Sequence, residues 1–167
     1  MALFKIRKSF CFGVLLLLSS FSHANSPQNI YEITSSILSY VKWNIPAPSF
    51  CVVDNVSTVN TFNDTFLQKN LAFKAISVSS NNLSEKKCDA IFFSQFTPSE
   101  EQKLINVLKA PPALSFSANN TECELGSVFC LYTSKSGKSS FKVNLDSLAR
   151  TKIHIDPRVL LLAQKSE

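Results

Sequence analysis

Four cysteines, Cys51, Cys88, Cys123 and Cys130, are the residues of this chain best suited to chemistry, and their spacing selects which kind. As thiolates they could hold zinc, but structural zinc sites pair their cysteines across about two to four residues. The nearest two, Cys123 and Cys130 in TECELGSVFC, have six residues between them. Thiol–disulfide exchange favours C-x-x-C, which does not occur. Oxidation to disulfides is left, and this needs an oxidising compartment.

The first residues predict such a compartment. Lys5, Arg7 and Lys8 precede an apolar run from Phe10 to Leu18, and Ser22-His23-Ala24 ends in small residues suited to a cut after Ala24. The pattern is that of a secretory signal peptide over residues 1–24, with a run about half the ~20 residues of a spanning helix. A fifth cysteine, Cys11, lies in this leader. Residues 25–167 then make a single domain large enough for a core. The formal net charge of +5 falls to +2 once the three leader cations are removed, so the basic balance gives no reason to expect nucleic acid as a partner.

An even number of exported cysteines points to two disulfides, with three pairings open on arithmetic alone. A bridge between Cys123 and Cys130 closing an irregular loop suits the short spacing, which leaves Cys51 with Cys88. On the loop-entropy model the two closures stabilise by about 2.5 and about 4 kcal/mol. Either a structural staple or a redox-sensitive bridge fits Cys123–Cys130, since an exposed loop disulfide is the more easily reduced kind.

Other chemistry lacks its parts. Beyond the leader there is one histidine, His154, and there are two glycines, Gly126 and Gly137, too few for a phosphate loop. Neither G-x-S-x-G nor H-E-x-x-H is present, and Asp89, Asp146 and Asp156 stand apart from one another. No catalytic set, cofactor site or metal site is expected.

The elements that would position the cysteines follow from periodicity. Ile30, Ile33, Ile37, Leu38 and Val41 share one helical face, ended by NIPAP. SFCVVD reads as a buried strand. VSTVNTFNDTFLQK brings Val59, Phe62 and Phe66 to one helix face. AFKAISV and CDAIFFS read as strands, the second central. In TPSEEQKLINVLK, Thr97, Pro98 and Glu100 form a capping-box start, with Leu104, Ile105 and Leu108 as the buried face. PALSFS is a further strand, VFCLYTS and SSFKVNL make a hairpin around Gly137, and Asp156-Pro157 opens a last helix. The alternation predicts an α/β layered sandwich: a mainly parallel central sheet covered by helices, with a C-terminal hairpin added and Cys51 and Cys88 on neighbouring strands.

Taken together, ILSYVKW, FCVVD, CDAIFFS and the stretch from PALSFS through FKVNLDSLAR to PRVLLLAQK resemble the YfiR family, densest from Pro112 onward. One departure is Asn44 after KW, where the family has proline; here proline waits until Pro46. The resemblance implies a soluble periplasmic repressor, without catalysis, that grips the periplasmic part of a YfiN-type inner-membrane diguanylate cyclase. Release of that grip would raise cyclic di-GMP, favouring biofilm over motility. It also implies the pairings Cys51–Cys88 and Cys123–Cys130. An OmpA-like outer-membrane lipoprotein sequesters the repressor in systems of this kind, and a homodimer is a further option. The alternative role is a periplasmic small-ligand-binding domain that feeds another sensor. For a partner surface the candidates are the aromatics Tyr40 and Trp43 at the end of the first helix, and Phe129 and Tyr132 beside the short bridge. The basic tail (Lys135, Lys138, Lys142, Arg150, Lys152, Arg158, Lys165) reads first as a solvated basic face, and otherwise suits an acidic partner or anionic lipid.

Overall fold

The computed structural model of the chain describes residues 28–109 and 113–164. The expected signal peptide, Cys11 included, lies outside the described residues. Six strands form one sheet: β1 (Ser49–Val53), β2 (Lys74–Val78), β3 (Ala90–Phe93), β4 (Leu114–Ser117), β5 (Phe129–Thr133) and β6 (Ser139–Val143). Their order is β2-β1-β3-β4-β5-β6; the first five are parallel and β6 returns antiparallel to β5. The helices are α1 (Ile30–Ser39), α2 (Val56–Gln68), α3 (Pro98–Asn106), α4 (Leu145–Thr151) and α5 (Pro157–Gln164), with a 3-10 turn at Ser80–Glu85.

Strand alternation divides the core into two layers. Phe50, Val52, Phe92, Phe116, Phe129 and Leu131 point one way and meet Ile33, Ile37, Phe62, Phe66 and Val159 from α1, α2 and α5. Cys51, Val53, Ile91 and Phe93 point the other way, toward Leu83 and the partly buried Phe96, Leu104 and Ile105. Strands covered on both faces read as continuous apolar runs, which is why FCVV and AIFF carry no polar alternation. The first layer is rich in aromatics: Phe50 and Phe62 have ring centroids 4.7 Å apart, Phe62 and Phe92 4.8 Å. Such edge contacts add about 0.5–1.5 kcal/mol each beyond the area they bury.

The open edge at β2 is managed from α2. The Asn63 amide accepts from the Ala75 N–H at 2.8 Å and donates to the Ala75 carbonyl at 3.2 Å, occupying the place a further strand would take.

Four sequence expectations change. The first helix stops at Ser39, short of the prolines, because Val41 leaves it to bridge Ile155, with Lys42 N–H donating to the His154 carbonyl at 3.0 Å. Cys88 precedes β3 rather than lying in it. Leu104, Ile105 and Leu108 are only partly buried, and the wholly buried residue of α3 is Glu101. Finally, Asn144 and Leu145, read as the end of the last strand in SSFKVNL, instead open α4, with the Asn144 side chain accepting from Ser147 N–H at 2.8 Å as its cap. The capping box at Thr97 and Glu100 is formed as expected, with Pro98 as the first helical residue.

Candidate functional site

Two disulfides tie this scaffold together. Cys51 of β1 joins Cys88, with Cα atoms 5.8 Å apart, across the layer that α3 covers. Asp89, next in the chain, closes the same junction. Its Oδ2 accepts from the Ser49 N–H and hydroxyl, both at 2.8 Å, so this isolated aspartate is a clamp between the starts of β1 and β3.

The second bridge, Cys123–Cys130 with Cα atoms 5.6 Å apart, staples the loop between β4 and β5. Parallel neighbours ordinarily need a long crossover, most often a helix. Here an irregular, internally bonded loop serves instead. Asn120 donates to the Leu125 carbonyl at 2.7 Å and accepts from the Cys123 N–H at 3.0 Å, and Cys123 itself adopts a positive φ of 63°. Val128 N–H donates to the Ser115 hydroxyl at 3.0 Å.

Glu101 anchors this loop from α3. One carboxyl oxygen is bonded to the Ser117 hydroxyl at the end of β4. The other accepts from the Ser127 hydroxyl at 2.8 Å and the Ser127 N–H at 3.2 Å. The residue is 0% exposed. Burial pushes its carboxyl above the ordinary range, while the hydrogen bonds from Ser117, Ser127 and Asn120 pull the other way. Gly126, at φ +88°, passes so close that a β-carbon there would meet Glu101 Oε2 at 2.8 Å and the Pro98 carbonyl oxygen at 3.0 Å. On the outer side the Ser147 hydroxyl donates to the Gly126 carbonyl at 2.9 Å and accepts from Arg150 Nη2 at 2.9 Å. Nothing in the sequence flagged Glu101. The available hint was an acid in the first turn of α3 at one-residue spacing from the capping Glu100, on the inner side of the helix.

The four aromatic candidates part company. Phe129 is 0% exposed and stacks on Phe116 at 5.2 Å, so it belongs to the core and is withdrawn as a surface residue. Trp43 is half-buried; its indole N–H donates to the Leu38 carbonyl at 3.0 Å and its ring meets Phe73 edge-on at 5.7 Å. Tyr132 is half-buried on β5. Tyr40 is the open one, 37% exposed at the end of α1, with the Arg158 guanidinium 5.4 Å from its ring centre. Arg158 also pairs with Asp156 at 2.7 Å, and its hydrogen bonds hold the Asp156 carboxyl down to about 2. Beside Tyr40 a groove of about 280 Å³ runs between α1, β6 and α5, past Ile33, Ile37, Lys138, Phe141 and Leu162.

A cleft of about 480 Å³ opens at the amino ends of the parallel strands, lined among others by Lys42, Trp43, Lys87, Asp89, Lys152 and His154. Doubly wound sheets usually bind ligands at the opposite, carboxyl ends, where the strand order turns between β1 and β3. In this chain the side-chain amide of Asn55 donates to the Ser94 hydroxyl across that turning point at 3.1 Å. Among the described residues no group of three His, Cys, Asp or Glu side chains is placed to hold a metal ion, and no helix is long and apolar enough to cross a membrane. A protein-family model, described as YfiR/HmsC-like, matches residues 31–164.

Proposed function

The chain belongs to the YfiR/HmsC-like family, and from that premise we propose that it is a non-enzymatic periplasmic regulator that represses an inner-membrane diguanylate cyclase by binding the cyclase's periplasmic part. The observation that carries this reading is the family match over nearly the whole exported chain. The two disulfides support it, since bonds of this kind persist in exported proteins.

A repressor without chemistry acts through a difference in affinity for two states of its target. The disulfides suit that task by holding a rigid surface. For that surface, Tyr40 with Arg158 stacked on it and the apolar groove next to it offer an aromatic anchor with a basic rim, Lys138 on one side and Arg158 on the other. Of the other aromatic candidates, Trp43 lines the cleft at the amino ends of the strands instead, and Tyr132, next to the inward Leu131 on β5, lies outside this groove. An acidic, partly apolar segment of the cyclase suits this groove, and an OmpA-like lipoprotein that competed for it would relieve repression.

The test is calorimetry with the oxidised exported chain and the isolated periplasmic domain of the cyclase. Binding is expected, weakened at least tenfold by Tyr40→Ala combined with Lys138→Glu at unchanged melting temperature. Failure of the wild-type chain to bind overturns the reading.

A second reading rests on the amino-end cleft. Lys42, Lys87, Lys152 and His154 face it against one acid, Asp89, which is already engaged by Ser49. Such a site favours a small anionic solute, and carboxylate- or phosphate-bearing compounds raising the melting temperature of the wild type but not of Lys152→Glu would support it.

A further inference from the structure

Glu101 is a fully buried carboxyl that neither binding reading uses. It joins three elements: its own helix α3, the end of β4 through Ser117, and the disulfide loop through Ser127. All its partners are neutral donors, the hydroxyls of Ser117 and Ser127, the Ser127 N–H and the side-chain amide of Asn120; none is a cation. On α3 the charged neighbours are Glu100, engaged in the cap at Thr97, and Lys103. Glu122 and Glu124 lie in the loop, Glu85 on the 3-10 turn, and Lys142 on β6 opposite Cys130. On α4 Asp146 is exposed and Arg150 is spent on the Ser147 hydroxyl. The one ion pair among the described residues is Asp156–Arg158, so none of these charges is paired with Glu101.

Protonated, the carboxyl keeps its whole bonding pattern: its O–H donates to the Ser117 hydroxyl while the other oxygen still accepts from Ser127. Ionised, it is a buried charge facing only neutral donors, a state whose desolvation those bonds offset in part. Lifting the loop exposes the carboxyl to water and removes that penalty. Gly126 makes the contact close and all-or-none, because the loop backbone rests directly on the carboxyl with no side chain between.

We propose that Glu101 is a proton-operated latch on the Cys123–Cys130 loop: neutral, it clasps the loop to α3 and β4; ionised, it lets the loop lift. Because burial raises this carboxyl in the folded state, the clasping contribution is fully present below the ordinary value of an unfolded glutamate and is lost as pH rises through the folded value. A periplasmic protein meets the pH of the outside medium, so the latch would give this regulator an input that needs no ligand. It stands independently of which partner the chain binds.

The experiment is the rate at which tris(2-carboxyethyl)phosphine reduces each disulfide of the native exported chain, from about pH 4.5 to 8. Every aliquot is alkylated under one denaturing condition and counted by mass spectrometry. Dividing the wild-type rate by that of Glu101→Gln at each pH cancels the reagent's own titration. The expected ratio for Cys123–Cys130 rises with pH by about tenfold for each unit by which the carboxyl is raised, then levels off; the ratio for Cys51–Cys88 stays flat. A flat ratio at Cys123–Cys130 overturns the proposal. Should Glu101→Gln not fold, Ser127→Ala with Glu101 retained serves instead. Loss of one donor to the ionised form moves the midpoint of the wild-type rise to higher pH, and an unmoved midpoint overturns the proposal equally.

Discussion

Replacing Gly126 by alanine sets a methyl group against two separate obstacles, and Gly137 supplies the control that separates them. Both glycines have positive φ, +88° and +81°. A side chain in that backbone region costs about 1–2 kcal/mol at either place. At Gly137, the hairpin tip, an added β-carbon meets nothing within 4 Å, so the backbone cost stands alone. At Gly126 it would lie 2.8 Å from Glu101 Oε2 and 3.0 Å from a backbone oxygen of α3. Relief requires the loop or the carboxyl to withdraw, and a buried acceptor left unmatched costs a further ~1–3 kcal/mol. Gly126→Ala should therefore destabilise by about 2–5 kcal/mol and Gly137→Ala by about 1–2 kcal/mol. Urea unfolding followed by circular dichroism measures both; at a slope of about 1.5 kcal/mol per molar, the midpoints should fall by roughly 2 M and roughly 1 M. Equal losses at the two positions would refute the argument that Gly126 is required by its approach to Glu101.

Further outcomes follow from the same geometry. Removing Cys51–Cys88 as a paired serine variant should cost about 4 kcal/mol and removing Cys123–Cys130 about 2.5 kcal/mol, because the closures span 37 and 7 residues, and guanidinium unfolding of the two variants ranks them. Asn63→Ala should lose about 1–2 kcal/mol and, by freeing the edge at Ala75, make association rise with concentration, as light scattering on a sizing column would detect. Asp156, lowered from 3.8 to about 2 chiefly by hydrogen bonds from Arg158, contributes stability present above its unfolded value and lost as pH falls through about 2. Melting temperatures of Asp156→Asn should accordingly lack the part of the wild-type acid decline that falls between those two values.

The legible parts of this fold were those where local signals agreed with tertiary demand. FCVV and AIFF read as buried strands because both of their faces are covered, and the box at Thr97 and Glu100 announced α3 because capping is settled within one turn. Where long-range contacts decide, the sequence was silent or misleading. Val41 fits the α1 face by spacing, yet a bridge to Ile155 from the far end of the chain draws it out. In α4 a single partly buried Leu148 offers no period to detect. Phe129 looked like a surface aromatic from its place beside a polar loop, but strand parity turns it inward onto Phe116. Glu101 was hardest of all: an acid in the first turn of a helix is expected at the surface, and only the loop that folds over it, with Ser127 and Gly126 in place, makes it a core residue.

The proposed role is restraint of a membrane cyclase by binding, with no turnover by the chain itself. Intracellular cyclic di-GMP, measured in cells lacking this gene, with and without the cyclase gene, tests it most directly. The account predicts a rise on deleting the regulator that vanishes when the cyclase is deleted too; an unchanged level, or a rise that persists without the cyclase, would contradict it.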